Sequence, residues 1–98
     1  MHVIGKPALM QFWAKHPDSE RALQKAWYRT MESEVFADFN DLRATFASAD
    51  YVDGLTVFNI GGNMYRLIAA IHYNRRKLFV RAVLTHAEYD RGAWKRSK

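Results

Sequence analysis

The chain contains no cysteine. It therefore has no disulfide framework, no thiolate nucleophile and no thiolate-based structural zinc site. That usage suits a reducing cytosol. Long apolar runs are also missing. The longest aliphatic one, Leu67-Ile68-Ala69-Ala70-Ile71, is far too short to span a bilayer. The start, Met1-His2-Val3-Ile4-Gly5-Lys6-Pro7, lacks the charged and apolar regions of a signal peptide. No internal repeat, linker or low-complexity segment breaks the chain. With 98 residues of which 49% are hydrophobic, it is too apolar for disorder. One domain over residues 1–98 is expected, soluble and cytoplasmic, burying about 60–65% of its unfolded surface.

The most telling absence is of carboxylates. None lies between Asp53 and Glu88, although Arg66, Arg75, Arg76, Lys77 and Arg81 do. Residues 1–53 carry six Lys/Arg against eight Asp/Glu; residues 54–98 carry nine against two, which leaves the whole chain at +5. A field of one sign over half of a small domain suits a polyanion, of which nucleic acid is the commonest. The bland alternative is a solvated basic surface, but Arg66 and Arg81 sit inside apolar strand patterns.

Hydrophobic periodicity supplies the elements. Residues 2–5 read as a short strand. Pro7 can open a helix, since its missing N–H would have no partner there anyway, and Leu9, Phe12, Trp13 and His16 follow at helical spacing. Pro17-Asp18-Ser19-Glu20 has the proline and acids of a helix start. Ala22, Leu23, Ala26, Trp27, Thr30 and Met31 then form an amphipathic double stripe to about Glu32. Phe39, Leu42 and Phe46 indicate a further helical turn before a loop over 48–54. From Leu55 the period drops to two. Strands are expected over 56–60, 64–73 and 78–85, joined by a Gly61-Gly62-Asn63 hairpin and a polar Asn74-Arg75-Arg76-Lys77 turn.

Alternation then assigns faces. Tyr65, Leu67, Ala69, Ile71, Tyr73, Leu78, Val80, Ala82 and Leu84 should pack on the helices. Arg66, Ile68, Ala70, His72, Phe79, Arg81, Val83 and Thr85 should face away. This second face is apolar with two arginines and a histidine, which suits a groove for phosphate and base; the alternative is a second packed layer. Because Arg66 and Arg81 project away from the helices, truncating either is expected to leave the fold intact.

Thr85-His86-Ala87-Glu88 is a capping box, a sufficient structural reason for Thr85 and Glu88. His86 is three residues before Tyr89 and four before Asp90, so all three share one helical face. A histidine beside a carboxylate and a phenol is a candidate proton-transfer group, or else a surface residue. Two-metal hydrolysis needs clustered carboxylates, and the basic half has two. His2, His16, His72 and His86 show no zinc spacing, and no phosphate-binding G-x-x-x-x-G-K-[ST] loop is present. No metal or cofactor is expected. RNA carries its own nucleophile, the 2′-OH, so a base, an acid and phosphate-binding arginines would suffice.

The run Val57-Phe58-Asn59-Ile60-Gly61-Gly62-Asn63-Met64-Tyr65-Arg66-Leu67, then Val80-Arg81 and Thr85-His86-Ala87-Glu88-Tyr89-Asp90, resembles the HigB family of toxins in the RelE/ParE-like superfamily. His16-Pro17, Ala26-Trp27-Tyr28 and Phe46-Ala47-Ser48-Ala49-Asp50 extend the likeness over nearly the whole chain. The resemblance implies an α/β (α+β), RelE-like fold. In it a short N-terminal strand and a two-helix hairpin pack on one face of a mainly antiparallel sheet of about four strands, with a short C-terminal helical turn. It implies a ribosome-dependent, metal-independent mRNA endoribonuclease, neutralised by a HigA-type helix-turn-helix antitoxin and meeting operator DNA only through that complex. By position, Arg66, Arg81, His86 and Tyr89 match the catalytic set. Asn63, His72, Arg75, Arg76, Lys77, Lys95 and Arg96 of the basic half are the expected RNA contacts. The family often has a basic residue where Gly61 stands, so one phosphate contact is unfilled here. Two other functions stay open on this fold: a ParE-like inhibitor of a topoisomerase, and an inert co-repressor of its antitoxin.

Overall fold

The computed structural model describes residues 1–97, with side chains through Lys95. Strand β1 (His2–Ile4) leads into helix α1 (Lys6–Lys15). A second helical segment, α2, spans residues 17–33 as a 3-10 turn (Pro17–Ser19), a π-helical stretch (Arg21–Tyr28) and an α-helical end (Arg29–Ser33). A short helix, α3 (Phe39–Thr45), follows. Strands β2 (Asp50–Val52), β3 (Leu55–Ile60), β4 (Tyr65–His72) and β5 (Lys77–Thr85) come next, then helix α4 (His86–Arg91). The sheet order is β1-β5-β4-β3-β2, parallel between β1 and β5 and antiparallel elsewhere.

The sheet has five strands where four were expected, because residues 50–52 pair with β3 instead of forming a loop. The reason is the two-residue connection Asp53-Gly54, whose φ angles of 59° and 84° give the turn that matches strand twist. In the turn between β3 and β4, Gly61 and Gly62 adopt φ of 64° and 62°, which glycine accepts without strain.

The helices cover one face of the sheet. Leu9, Leu23, Trp27, Met31 and Leu42 bury against Phe58, Ile60, Leu67, Ala69 and Leu78. Trp27 meets Phe58 edge-on at 5.4 Å, and Phe46 meets the same ring at 5.2 Å. The π-helical bonding of α2, seen where Arg29 N–H reaches Gln24 O, widens each turn beyond about 3.6 residues. Residues four apart therefore stay nearly in line, which keeps Leu23, Trp27 and Met31 in the core together.

The expected face assignment holds along β4 and fails in the second half of β5. Ala69 pairs with Val80 but Ile68 pairs with Ala82, so Arg81 is an extra residue in a β-bulge. One extra residue reverses the alternation beyond it. Val83 consequently packs with the helix-side core, and Ala82 and Leu84 join the opposite face.

That opposite face is not wholly open, as a groove would require. Trp94, 7% exposed, packs there on Leu55, Val57 and Ile68. The chain returns after α4 through Gly92, at φ 74°, and a 3-10 turn (Ala93–Ser97) covers the β3 side. Among the described residues no helix is long and apolar enough to cross a membrane.

Candidate active site

The end of the sheet where β4 begins and β5 finishes gathers most of the reactive side chains. Thr85 caps α4 there: its hydroxyl accepts from Glu88 N–H at 3.2 Å, and its own N–H donates to Glu88 Oε1 at 2.9 Å. These bonds, the backbone one foremost, hold the Glu88 carboxyl below its usual range against a smaller opposing effect of burial; Arg91 and His16 add their charge. Glu88 is thus occupied as a cap.

The box fixes the direction of α4, and with it His86, Tyr89 and Asp90. His86 N–H bonds Met64 O at 3.2 Å, tying the helix start to the β3–β4 hairpin. The exposed His86 ring places Nδ1 2.9 Å from Asp90 Oδ2. In the neutral ring this contact favours the proton on Nδ1, leaving the Nε2 lone pair facing outward. A carboxylate that orients a histidine in this way prepares it to accept a proton.

Arg66 is 7% exposed and firmly held. One guanidinium nitrogen donates to Asn63 O and Tyr65 O, both at 3.1 Å, and the other donates to Asn63 Oδ1 at 2.7 Å. The Tyr89 ring lies over it, 5.4 Å from guanidinium carbon to centroid. Trp94 stacks on Tyr89 at 5.2 Å and donates its indole N–H to Tyr89 O at 3.1 Å. Arg66 thus fixes the Asn63 turn and Tyr89, and Trp94 holds Tyr89 in turn. Arg81, by contrast, is exposed in its bulge. It lies two to three residues along the strands from Arg66, about 7–10 Å. Beside α4 a hollow of about 340 Å³ is lined by Ala82, Leu84, Glu88, Arg91, Ala93 and Trp94.

The structure therefore brings together Asn63, Arg66, Tyr89 and His86 and leaves Arg81 nearby. It does not bring His72, Arg75, Arg76 and Lys77 to them. Those residues lie at the far end of β4 and β5, six residues from Arg66, about 20 Å along the strand. Lys95 is exposed with its ammonium 5.6 Å from the Trp94 ring, and the side chain of Arg96 is outside the described residues.

Three residues at the reactive end went unassigned from sequence. The Tyr65 hydroxyl donates to both Asp18 oxygens, at 2.7 and 2.9 Å. That bond, with burial and the Asp18 charge, pushes the Tyr65 phenol above its ordinary range. His16 stacks on Phe12 at 4.4 Å and lies 5.5 Å from the Tyr65 ring. The signal was there in His16-Pro17, but no spacing rule links it to a strand some fifty residues later.

A family model described as HigB_toxin, RelE-like toxic component of a toxin–antitoxin system, matches residues 19–92. The chain belongs to the HigB toxin family. It is 37% identical over 93 residues to the mRNA interferase toxin HigB of Escherichia coli (strain K12), covering 92% of this chain and 88% of that protein. The mRNA interferase HigB of Shigella flexneri matches to the same degree. That of Escherichia coli O6:H1 is 32% identical over 94 residues, covering 93% and 90%. As the toxic component of a toxin–antitoxin system, a HigB chain has an antitoxin as its partner.

Proposed function

We infer that this HigB chain is an mRNA interferase, an endoribonuclease that arrests translation by cutting mRNA on the ribosome without a metal ion. The observation that carries the reading is the oriented His86–Asp90 pair on α4, beside the Tyr89–Arg66 stack and next to strands that lack carboxylates. The names of its relatives supply the RNA substrate.

In this chemistry the His86 Nε2 lone pair takes the proton of a ribose 2′-OH. The 2′ oxygen attacks the adjacent phosphorus, the bond to the 5′ oxygen breaks, and the products are a 2′,3′-cyclic phosphate and a 5′-hydroxyl. The exposed Arg81 guanidinium meets the charge that builds on the phosphoryl oxygens, where a planar fork binds two at once. The Tyr89 hydroxyl protonates the leaving oxygen; Arg66 and Asn63 hold its ring and the hairpin in place. Asn63 and Lys95 serve as RNA contacts at this end. Residues 1–98 act as one toxin domain in the cytoplasm. The partner is a HigA-type helix-turn-helix antitoxin, through which the complex reaches operator DNA.

The test is single-turnover cleavage of mRNA on saturating ribosomes. His86→Ala and Tyr89→Phe are each expected to slow the cut by about 10²–10⁴-fold if the residue transfers a proton. A residue that only stacks would instead weaken binding, by roughly 1–3 kcal/mol. Wild-type rates in both variants would remove the proton-transfer assignment.

A further inference from the structure

The far end of the sheet holds a cluster that the chemistry above does not use. Because Val3 packs in the helix-side core, His2 and Ile4 point to the other face. The register aligns His2 with Lys77, Ile4 with Phe79, Phe79 with Ala70 and Lys77 with His72. His72 meets Phe79 edge-on, with ring centroids 5.4 Å apart at 89°. His2, His72 and Lys77 are exposed and Phe79 is half-buried. Trp94 and the C-terminal turn cover the β3 side instead, so Phe79 has no such cover among the described residues.

Charge points to the occupant. Arg75, Arg76 and Lys77 follow one another at the turn, and none of them makes an ion pair among the described residues. The backbone of Arg76 adds a second observation. Its φ of 56° and ψ of 40° are left-handed, where glycine or asparagine is the unstrained choice. Its N–H bonds Tyr73 O at 3.2 Å, and its carbonyl accepts from His2 N–H at 2.8 Å. Both bonds use the main chain, so any residue but proline could make them at this position. The arginine side chain is not what closes the turn.

We propose that this far end, with Phe79 and His72 as stacking rings and Arg75, Arg76 and Lys77 as phosphate contacts, is a second binding site for single-stranded RNA. It grips nucleotides away from the scissile one. The proposal rests on the reading of this chain as an RNA-cleaving toxin. Rings and cations on one open strand face are the combination that holds single strands without reading sequence. The separation of about 20 Å corresponds to roughly six stacked nucleotides at about 3.4 Å each, and to fewer in an extended strand. The chain therefore prefers RNA long enough to reach both ends.

The experiment is fluorescence anisotropy with a labelled single-stranded RNA of about twelve nucleotides, 2′-O-methylated throughout so that it cannot be cut, read over a range of salt. Each phosphate contact removed from a single-strand complex lowers the salt slope by about 0.7. Arg76→Gly should lose that much, and Arg76→Gly with Lys77→Gln about twice that, while Arg76→Gly melts at or above the wild-type temperature. Phe79→Leu should weaken binding between about fivefold and a hundredfold with the slope unchanged. Unchanged affinity and slope in these variants would overturn the proposal, as would a wild type that does not hold the probe. Loss of antitoxin capture with RNA affinity intact would give the surface to the protein partner and overturn it too. Cleavage by the His86 and Tyr89 variants is read separately. Failure there removes the chemistry and leaves this contact, whereas an unchanged salt slope removes this contact and leaves the chemistry.

Discussion

Arg66 and Arg81 sit on neighbouring strands, one buried under an aromatic ring and the other in solvent. Alternation alone predicts that both tolerate truncation. The structure separates them, because Arg66→Ala would strip the partner from three acceptor oxygens on Asn63 and Tyr65 and leave Tyr89 without its support. Bonds to charged groups and the cation–π contact together suggest a loss of about 2–4 kcal/mol, to be read by urea denaturation. Arg81→Ala should stay within about 0.5 kcal/mol of wild type while cleavage falls. Equal stability of both variants would contradict the structural role of Arg66. Titration gives a second prediction. The lowered Glu88 carboxyl favours its charged form, so its contribution is present above the ordinary carboxylate range and lost as pH falls through the folded value. Glu88 is exposed, so the loss is small and confined to α4. The raised Tyr65 phenol acts at the other limit. Its contribution is intact below its ordinary value of 10.0 and is lost as pH rises beyond it. Thermal unfolding followed across both ranges should show an alkaline decline that Tyr65→Phe reduces.

At the scale of elements, the helices, the hairpin and the capping box were legible because each is local. Leu23, Trp27 and Met31 announce a helix by spacing, and Thr85 and Glu88 announce its successor by chemistry. Strand β2 was missed although Asp53-Gly54 is itself a hairpin signal, since three residues are too few to show a period. The bulge at Arg81 was invisible for another reason. Ala82, Val83 and Leu84 are all apolar, so nothing in them marks which side faces the helices, and only the pairing partner decides. Trp94 closing over Ile68 is likewise a contact between residues far apart in sequence. The candidate site was legible in its residue types, His86, Tyr89 and the arginines, but not in its division into two ends. Gly5 tests the packing of β1 beside the bulge. At φ 113° it is in a region side chains avoid, and an added Cβ would meet Val80 Cβ at 3.0 Å. Gly5→Ala should cost about 1–3 kcal/mol in denaturant unfolding. Gly62, at φ 62° with nothing within 4 Å of such a Cβ, should give up only about 1 kcal/mol as alanine. A smaller loss at Gly5 than at Gly62 would mean that β1 yields easily and that its pairing with β5 is soft.

For the whole molecule, the carboxylate-poor half supplies the central and reactive strands and the acid-rich half supplies the helical cover. Such a distribution would steer a polyanion to the carboxylate-poor strands, towards His86 and Arg81 at one end and Lys77 at the other. That asymmetry predicts what happens in a cell. Expressed without its antitoxin, the chain should stop growth, and incorporation of amino acids should fall before incorporation of thymidine. Mapping of mRNA 5′ ends should show new ones inside reading frames. Arg81→Ala and His86→Ala should remove the arrest although both proteins accumulate folded, because neither residue is buried. Co-expression of the antitoxin should restore growth. An inhibitor of a topoisomerase would give the opposite order, with DNA synthesis failing first and mRNA intact, and it would not depend on the His86 ring. The order of failure, read together with the His86 variant, therefore decides between cutting RNA and merely binding a target.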